Sequence, residues 1–308
     1  MQIHQDFQWL DASARGTSCA MGNFDGIHIG HQSVIDLARG AAPLGIITFE
    51  PHPRQVFQPD APPFRLMNAE ARANRLAKLG IEHLFQLQFN RALAALSPEE
   101  FVRQVLAEGL GIAHVVVGAD FCFGKGRAGT AKDLQELCDH HGIRTTIAPL
   151  VRIGDREVSS TAIRLALSEG RPRDAAAMLG HLHRIEGEVI HGEKRGRELG
   201  FPTANMALTG LHLPRFGVYA VKVDVLTGPQ SGSYMGAASL GVRPMFQGEV
   251  PNLETYLLDF KGDLYGHHLS VALVDFLRPE MRFDGLPALI TQMDADCVKA
   301  REILSAIG

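Results

Sequence analysis

The chain has 308 residues, a formal net charge of -4, 45% hydrophobic residues and 21% charged residues. That length gives room for two cores, the balance is that of a globular protein, and the charge argues against a protein whose main work is gripping nucleic acid. No apolar run reaches the ~20 residues of a membrane span, the N-terminus has no signal-type apolar core, and the four scattered cysteines have neither zinc-site nor redox-pair spacing. A cytoplasmic protein with reduced thiols is therefore expected, with no membrane and no nucleic-acid partner.

In chain order, short apolar runs at Thr17–Met21, Gly45–Phe49, His83–Gln88, His114–Val117 and Thr145–Ala148 predict buried strands. Helix signals fall between them. Ser97-Pro98-Glu99-Glu100 is a capping box with proline at the first helical position, Asn68 can cap a segment ending at Gly80, and Thr130 with Asp133 starts another helix. Repeated strand–helix–strand units predict a parallel sheet with helices on both faces, a Rossmann-like α/β fold. Two short helices are expected at Thr161–Ser168 and Arg173–Leu179.

Beyond about Leu182 the period changes to two. Tyr219, Val221, Val223 and Val225 alternate with Val218, Ala220, Lys222 and Asp224. Further strands are expected at Ile185–Ile190, Ser233–Leu240, Leu253–Phe260 and Leu269–Phe276, punctuated by Gly and Pro. This predicts a small antiparallel β-barrel, closed by a C-terminal helix from about Leu286 to Ile307. Two domains are expected, 1–182 and 183–308.

Parallel sheets bind ligands at the carboxyl ends of their strands. Directly after the first of the predicted strands lies Gly22-Asn23-Phe24-Asp25-Gly26-Ile27-His28-Ile29-Gly30-His31, which leads into a helix. Glycines allow close backbone approach to an anion, and a helix start offers free N–H groups. His28 and His31, three apart, can point to one side and donate hydrogen bonds to a phosphate. The bare spacing also fits a metal pair or surface polarity; the flanking glycines and the strand-to-helix context favour phosphate. Ser159-Ser160-Thr161 followed by Arg164 offers a second anion cradle, although such a run is also an ordinary helix cap. Gly124 to Gly129 matches GxGxxG but lies well past its strand and outside the first βαβ unit, so it reads as a mobile loop near a phosphate.

In the second half, alternation over Leu253–Phe260 puts Glu254 on one face with Tyr256, Leu258 and Phe260. A carboxylate on an apolar face is costly unless used, and its desolvation favours a general base; a strand-end glutamate reaching solvent is the alternative. Upstream, Gly196 to Asn205 is an irregular, glycine-rich segment. Thr203 and Asn205 offer neutral oxygens two residues apart, suited to Mg2+ shared with phosphate oxygens, though by composition it is also simply a loop.

The motifs GNFDGIHIGH and SSTAIR resemble those of the HxGH nucleotidyltransferases, and TFEPHP with VGADFCFG is similar to the bacterial FAD synthetase module. GRELGFPTAN and LETYLLDFKGDLYG resemble riboflavin kinase. The resemblance spans nearly the whole chain and implies two ATP-dependent steps, riboflavin to FMN and FMN to FAD. It implies that Gly22, Asn23, Phe24, Asp25, Gly26, His28, Gly30, His31, Asp120, Arg127, Ser160, Thr161 and Arg164 surround ATP in the adenylyltransferase, with His28, His31 and Arg164 acting on the reacting phosphates. Pro51, Pro53, Phe57 and Phe123 would meet the flavin. In the kinase it implies ATP contacts from Gly192, Lys194, Gly196, Arg197, Gly200, Pro202, Thr203 and Asn205, Mg2+ on Thr203 and Asn205, and Glu254 as base. The FMN phosphate, already ionised, needs no base; the riboflavin hydroxyl does. His181-Leu182-His183 and Met245 depart from the usual pattern. An HxGH enzyme for another substrate would leave Glu254 without a role, and a flavin-binding regulator would leave both histidines unforced.

Overall fold

Short, mostly apolar runs of four to seven residues in the first half (Ser18–Met21, Leu44–Glu50, His114–Gly118) form strands of a parallel sheet that are largely buried on both faces. The computed structural model describes all residues except Trp9, 193–198, 246–247 and Gly308, and it describes no side chains over 243–249. Two compact units emerge: Met1–Pro62 with Arg72–Ser159, and Pro63–Ala71 with Ser160–Gly308.

In the first unit six strands are labelled β1 (Gln2–His4), β2 (Ser18–Met21), β3 (Leu44–Glu50), β4 (His83–Gln88), β5 (His114–Gly118) and β6 (Arg144–Ala148). Their order across the sheet is β1-β4-β3-β2-β5-β6, all parallel. Strand β1 was not foreseen: three residues with an exposed, polar pattern carry no periodic signal. Helix starts follow the expected chemistry. The Ser97–Glu100 and Thr130–Asp133 capping boxes are both formed, and Asn68 Oδ1 accepts from the Ala71 N–H at 2.8 Å. The connection order reverses at β2, which has β3 on one side and β5 on the other. The loops after β2 and β5 therefore diverge from a crevice at the strand ends, the place where such sheets take ligands.

The second unit is a nearly closed antiparallel barrel of β7 (His183–Glu188), β8 (Ala204–Ala207), β9 (Gly217–Val225), β10 (Gly232–Met245), β11 (Gly248–Leu257) and β12 (His268–Arg278), in the order β7-β12-β9-β10-β11-β8. The two edge strands meet at one bridge, where the Ile190 N–H donates to the Asn205 carbonyl at 2.8 Å. Tyr219, Val221, Val223 and Val225 point inward, as their alternation predicts, with Ile185, Met206, Leu253 and Leu269. Val218, Ala220 and Ala237 face outward and are covered by the C-terminal helix Leu286–Ala306 through Ala300 and Leu304. Arg278 locks that helix: its Nε and Nη2 donate to Asp296 at 2.7–3.0 Å, and both side chains are largely buried. Helices Ser160–Ser168 and Pro172–Leu179 pack together over Leu66, also within this unit.

Candidate active sites

In the first unit the loop after β2 is tightly bent. Phe24 and Ile27 hold positive φ values of 51° and 46°, and Gly26 one of 89°. For a bulky or β-branched residue this left-handed conformation costs on the order of 1–3 kcal/mol. Burial holds it: Phe24 and Ile27 are both inaccessible to solvent. The bend delivers His28 to the first turn of helix Ile29–Ala38, where its Nδ1 accepts the His31 N–H at 3.2 Å. The two imidazoles stack with centroids 3.7 Å apart. Gly30 makes this possible, since a Cβ there would lie 3.1 Å from His28 Nδ1.

This geometry fixes the protonation pattern. Burial pushes His28 down to about 4, and burial with the adjoining His28 pushes His31 well below the ordinary histidine value. Both rings are neutral at pH 7. Because His28 Nδ1 is an acceptor, its proton sits on Nε2, which is then a donor. His31 Nδ1 is buried with no hydrogen-bond partner among the described residues.

The neighbouring strand ends supply the rest. Arg72, 1% exposed as a side chain, donates from Nη2 to Glu50 Oε2 at 2.8 Å and to Gln86 Oε1 at 3.1 Å, and from Nη1 to the Asn23 carbonyl at 3.5 Å. Thr48 Oγ1 donates to the same Asn23 carbonyl. The ends of β3 and β4 are thus tied to the loop after β2. Sequence reading missed Arg72, because a lone Arg in a helix far along the chain has no signature. Asp120 follows β5 and is exposed, with Oδ1 lying over Gly118. Arg127 is also exposed, in a tight turn at φ 60°. Asp25 is buried, and Gly22 is half-buried.

Two of the four proposed flavin contacts, Phe57 and Phe123, are the ends of one aromatic series. Phe57 touches Phe89, Phe89 touches Phe49, Phe49 touches Phe101, and Phe101 touches Phe123, with centroids 5.7–6.5 Å apart. Phe57 is its exposed end at 66%, whereas Phe123 is buried in the core. Pro51 is exposed, and Pro53 starts the short helix Pro53–Phe57, capped by His52. Ser160, Thr161 and Arg164 lie at the start of helix Ser160–Ser168, in the second compact unit; Arg164 donates to Thr161 Oγ1 at 3.0 Å and to the Phe64 carbonyl.

In the second unit β8 and β11 pair so that Asn205 stands directly opposite Glu254. Residues opposite each other in an antiparallel pair share a face. That face is not the one the sequence suggested. Leu253, Thr255 and Leu257 point into the barrel core, so Glu254 and Tyr256 lie on the outer face. The strand ends at Leu257, and Asp259 turns the chain at φ 57°, so Leu258 and Phe260 do not continue the alternation. Glu254 is therefore not stranded among the apolar side chains of the core; its position opposite Asn205, not apolar burial, singles it out.

Several groups converge there. Asn252 Nδ2 donates to Asn205 Oδ1 at 3.2 Å and to Glu254 Oε1 at 3.3 Å. Asn205 Nδ2 donates to the Thr203 carbonyl at 3.2 Å. Phe201 packs edge-on against Tyr256, centroids 5.3 Å apart, which pins Pro202 and Thr203 beside the Glu254 face. Gly200 takes φ 86°, and Gly192 is half-buried. Lys194, Gly196 and Arg197 lie outside the described residues, as does the side chain of Met245. The Asn205 amide oxygen and the Glu254 carboxylate oxygen brought together by Asn252 are both hard oxygen donors.

A parallel α/β unit with stacked histidines at its switch point and a small barrel with a polar side-chain cluster on its outer face place the chain among phosphate-handling transferases. Comparison with known proteins narrows this. The FAD synthetase family model matches residues 10–162, and the riboflavin kinase model matches residues 179–304. The chain is 40% identical, over 98% of both sequences, to the bifunctional riboflavin kinase/FMN adenylyltransferase of Pseudomonas fluorescens. It is 38% identical to the protein of that name in Bacillus subtilis, over 90% of this chain and 89% of that one. A crystal structure from Streptococcus pneumoniae, described as a macrolide-efflux protein, superposes with a TM-score of 0.79 at 33% identity, covering 91% of this chain and 92% of that one. Among the described residues here, no helix is long and apolar enough to cross a membrane. The chain belongs to the bifunctional riboflavin kinase/FMN adenylyltransferase family.

Proposed function

We propose that the chain makes flavin cofactors in two ATP-dependent steps, with residues 183–308 phosphorylating riboflavin to FMN and residues 1–182 adenylylating FMN to FAD. The family matches at 179–304 and 10–162 support that partition, although residues 160–179 pack with the second compact unit. ATP as co-substrate and four free thiols fit a cytoplasmic enzyme.

For the kinase, the observation that carries the reading is the Asn205–Glu254 pair across β8 and β11. Glu254 takes the proton from the riboflavin 5′-hydroxyl as its oxygen attacks the γ-phosphorus of ATP, the bond from that phosphorus to the β–γ bridging oxygen breaks and ADP leaves. Thr203 and Asn205 hold the phosphate end. Their oxygens, with the nearby carboxylate, fit Mg2+, which when bound would neutralise phosphate charge. Gly192, Gly200 and Pro202 line the nucleotide side, together with Lys194, Gly196 and Arg197.

For the adenylyltransferase, the FMN phosphate attacks the α-phosphorus and pyrophosphate leaves. No base is needed; alignment and charge stabilisation suffice. The His28 Nε2–H and the His31 Nδ1, which has no partner among the described residues, support a role for both rings as neutral donors to the phosphates, His31 through the tautomer with its proton on Nδ1. Gly22, Asn23, Phe24, Asp25, Gly26 and Gly30 shape that loop, and Asp120 and Arg127 flank the nucleotide. Ser160, Thr161 and Arg164 form the second anion cradle. Pro51, Pro53, Phe57 and Phe123 serve the flavin end, with Phe57 presenting the exposed ring.

The test is a product assay on purified protein with Mg-ATP and each flavin supplied separately. Riboflavin should give FMN and then FAD, and FMN alone should give FAD with pyrophosphate. Riboflavin recovered bound but unchanged would overturn the reading.

A further inference from the structure

We propose that Asn252 is a positioning residue for riboflavin phosphorylation, holding the Glu254 carboxylate and the Asn205 amide oxygen in their working orientation with one side-chain nitrogen. The inference rests on the reading of Glu254 as the base and Asn205 as a phosphate or metal ligand.

Asn252 lies two residues before Glu254 on β11, so both side chains project from the outer face of the barrel. It is only 7% exposed. Its bonds do not go to the barrel backbone, as those of a structural asparagine commonly do. They go to the two side chains to which the chemistry has been assigned, Asn205 Oδ1 and Glu254 Oε1. A single amide nitrogen carries two hydrogens in fixed directions, so both bonds form at once.

The need for a donor there follows from what surrounds it. Asn205 Oδ1 and Glu254 Oε1 are both acceptors, brought together by the strand register. Gly241 is the register partner of Asn252 on β10, and Glu280 Oε1 occupies the space where a Cβ at 241 would sit, 2.3 Å from that position. Asn252 thus faces two acceptors, with a third carboxylate over its register partner. Aspartate in its place would add another acceptor, and lysine would neutralise the base. A neutral double donor keeps the carboxylate available and sets the rotamers of both partners. With Asn205 Nδ2 tied to the Thr203 carbonyl, the Asn205 amide is fixed at both ends. Freezing two side chains before substrate arrives lowers the entropy lost on reaching the transition state. The benefit falls on turnover rather than on flavin binding.

The experiment uses the full chain and four variants: Asn252→Ala, Asn252→Asp, Glu254→Gln and the double variant Asn252→Ala/Glu254→Gln. Steady-state riboflavin phosphorylation is measured for each, with FMN adenylylation and Tm as controls on folding. Asn252→Ala should lower the phosphorylation kcat by about 10- to 100-fold, the usual cost of losing an outer partner of a reactive group, while KM for riboflavin changes by less than about threefold. Asn252→Asp, which keeps the volume and removes the donor, should lose at least as much, and it serves as the test if the alanine variant misfolds. Both should adenylylate supplied FMN normally. Because Asn252 acts through Glu254, the double variant should be no slower than Glu254→Gln alone. Wild-type kcat in either Asn252 variant beside an inactive Glu254→Gln overturns this proposal alone. A fully additive loss in the double variant overturns it too, by showing a role independent of the base. Wild-type phosphorylation in Glu254→Gln sinks the reading of Glu254, and this proposal with it.

Discussion

Asn205 and Glu254 are register partners on β8 and β11, and one Asn252 nitrogen bonds to both. Asn205 is also the residue whose carbonyl closes the barrel by accepting the Ile190 N–H. A proposed phosphate-end ligand is therefore anchored through its backbone at the seam of the fold and through its side chain to the base. Rigidity at this point comes from the sheet itself rather than from a loop, which suits a reaction that depends on alignment.

The two chemistries separate by mutation. Glu254→Gln keeps the shape of the side chain and removes its capacity to take a proton. Riboflavin phosphorylation should fall by about 10²-fold or more, the scale of general-base catalysis, while FMN supplied directly still becomes FAD. Chromatography of products from each flavin checks this, and undiminished kinase turnover would remove Glu254 from the mechanism.

His28 caps a helix and is proposed to donate to a phosphate, and different substitutions divide the two roles. As the N-cap of helix Ile29–Ala38 it accepts the His31 N–H, and His28→Ala should lose about 1 kcal/mol of stability. The same variant should lose about 10²- to 10³-fold in adenylylation, the cost of removing one preorganised donor. His28→Asn restores a capping acceptor, so Tm should recover while pyrophosphate release from ATP and FMN stays low. Recovery of both would make capping the whole role of this residue.

Acid should weaken the second unit. His183 is buried, and burial together with the adjacent His181 and His212 pushes it down to about 3. Unfolded, it returns to the ordinary value near 6.5. Above pH 6.5 neither state binds the proton and folding is unaffected. As the pH falls from 6.5 toward 3, only the unfolded chain binds it, so stability is lost progressively over that window. At pH 5 the loss is about 2 kcal/mol from this group alone. Denaturant titrations between pH 7.5 and 5 should show a shallower pH slope for His183→Phe than for the parent chain. Equal slopes would mean that His183 takes up its proton in the native state as well.

Of the two ion pairs that tie the C-terminal helix to the barrel among the described residues, Arg278–Asp296 is nearly out of water and Arg301–Asp259 is exposed. Asp296 accepts from Arg278 and also from Gln292 Nε2 at 2.9 Å. Asp296→Ala leaves the guanidinium without its partner, and breaking such a pair costs about 3 kcal/mol or more. Thermal unfolding should report a lowered Tm, with riboflavin phosphorylation more heat-sensitive than in the parent. A change under about 0.5 kcal/mol would show that solvent already screens the pair.

Much of this protein was legible in its sequence. Apolar runs gave the parallel sheet, the period-two segment gave the barrel, and Ser97, Thr130 and Asn68 marked helix starts, because burial and capping act over a few neighbouring residues. The glycine–histidine loop and the Pro202–Asn205 segment were visible for the same reason. What the tertiary structure alone decided depends on strand register and on contacts between distant positions. Alternation divides β11 into two faces without saying which faces inward, and barrel closure put Leu253, Thr255 and Leu257 inside with Glu254 outside. Arg72 reaches Asn23 and Glu50 only because β2, β3 and β4 are neighbours in the sheet. Asn252 is an unremarkable asparagine until the pairing of β8 with β11 sets Asn205 and Glu254 within reach of the same nitrogen.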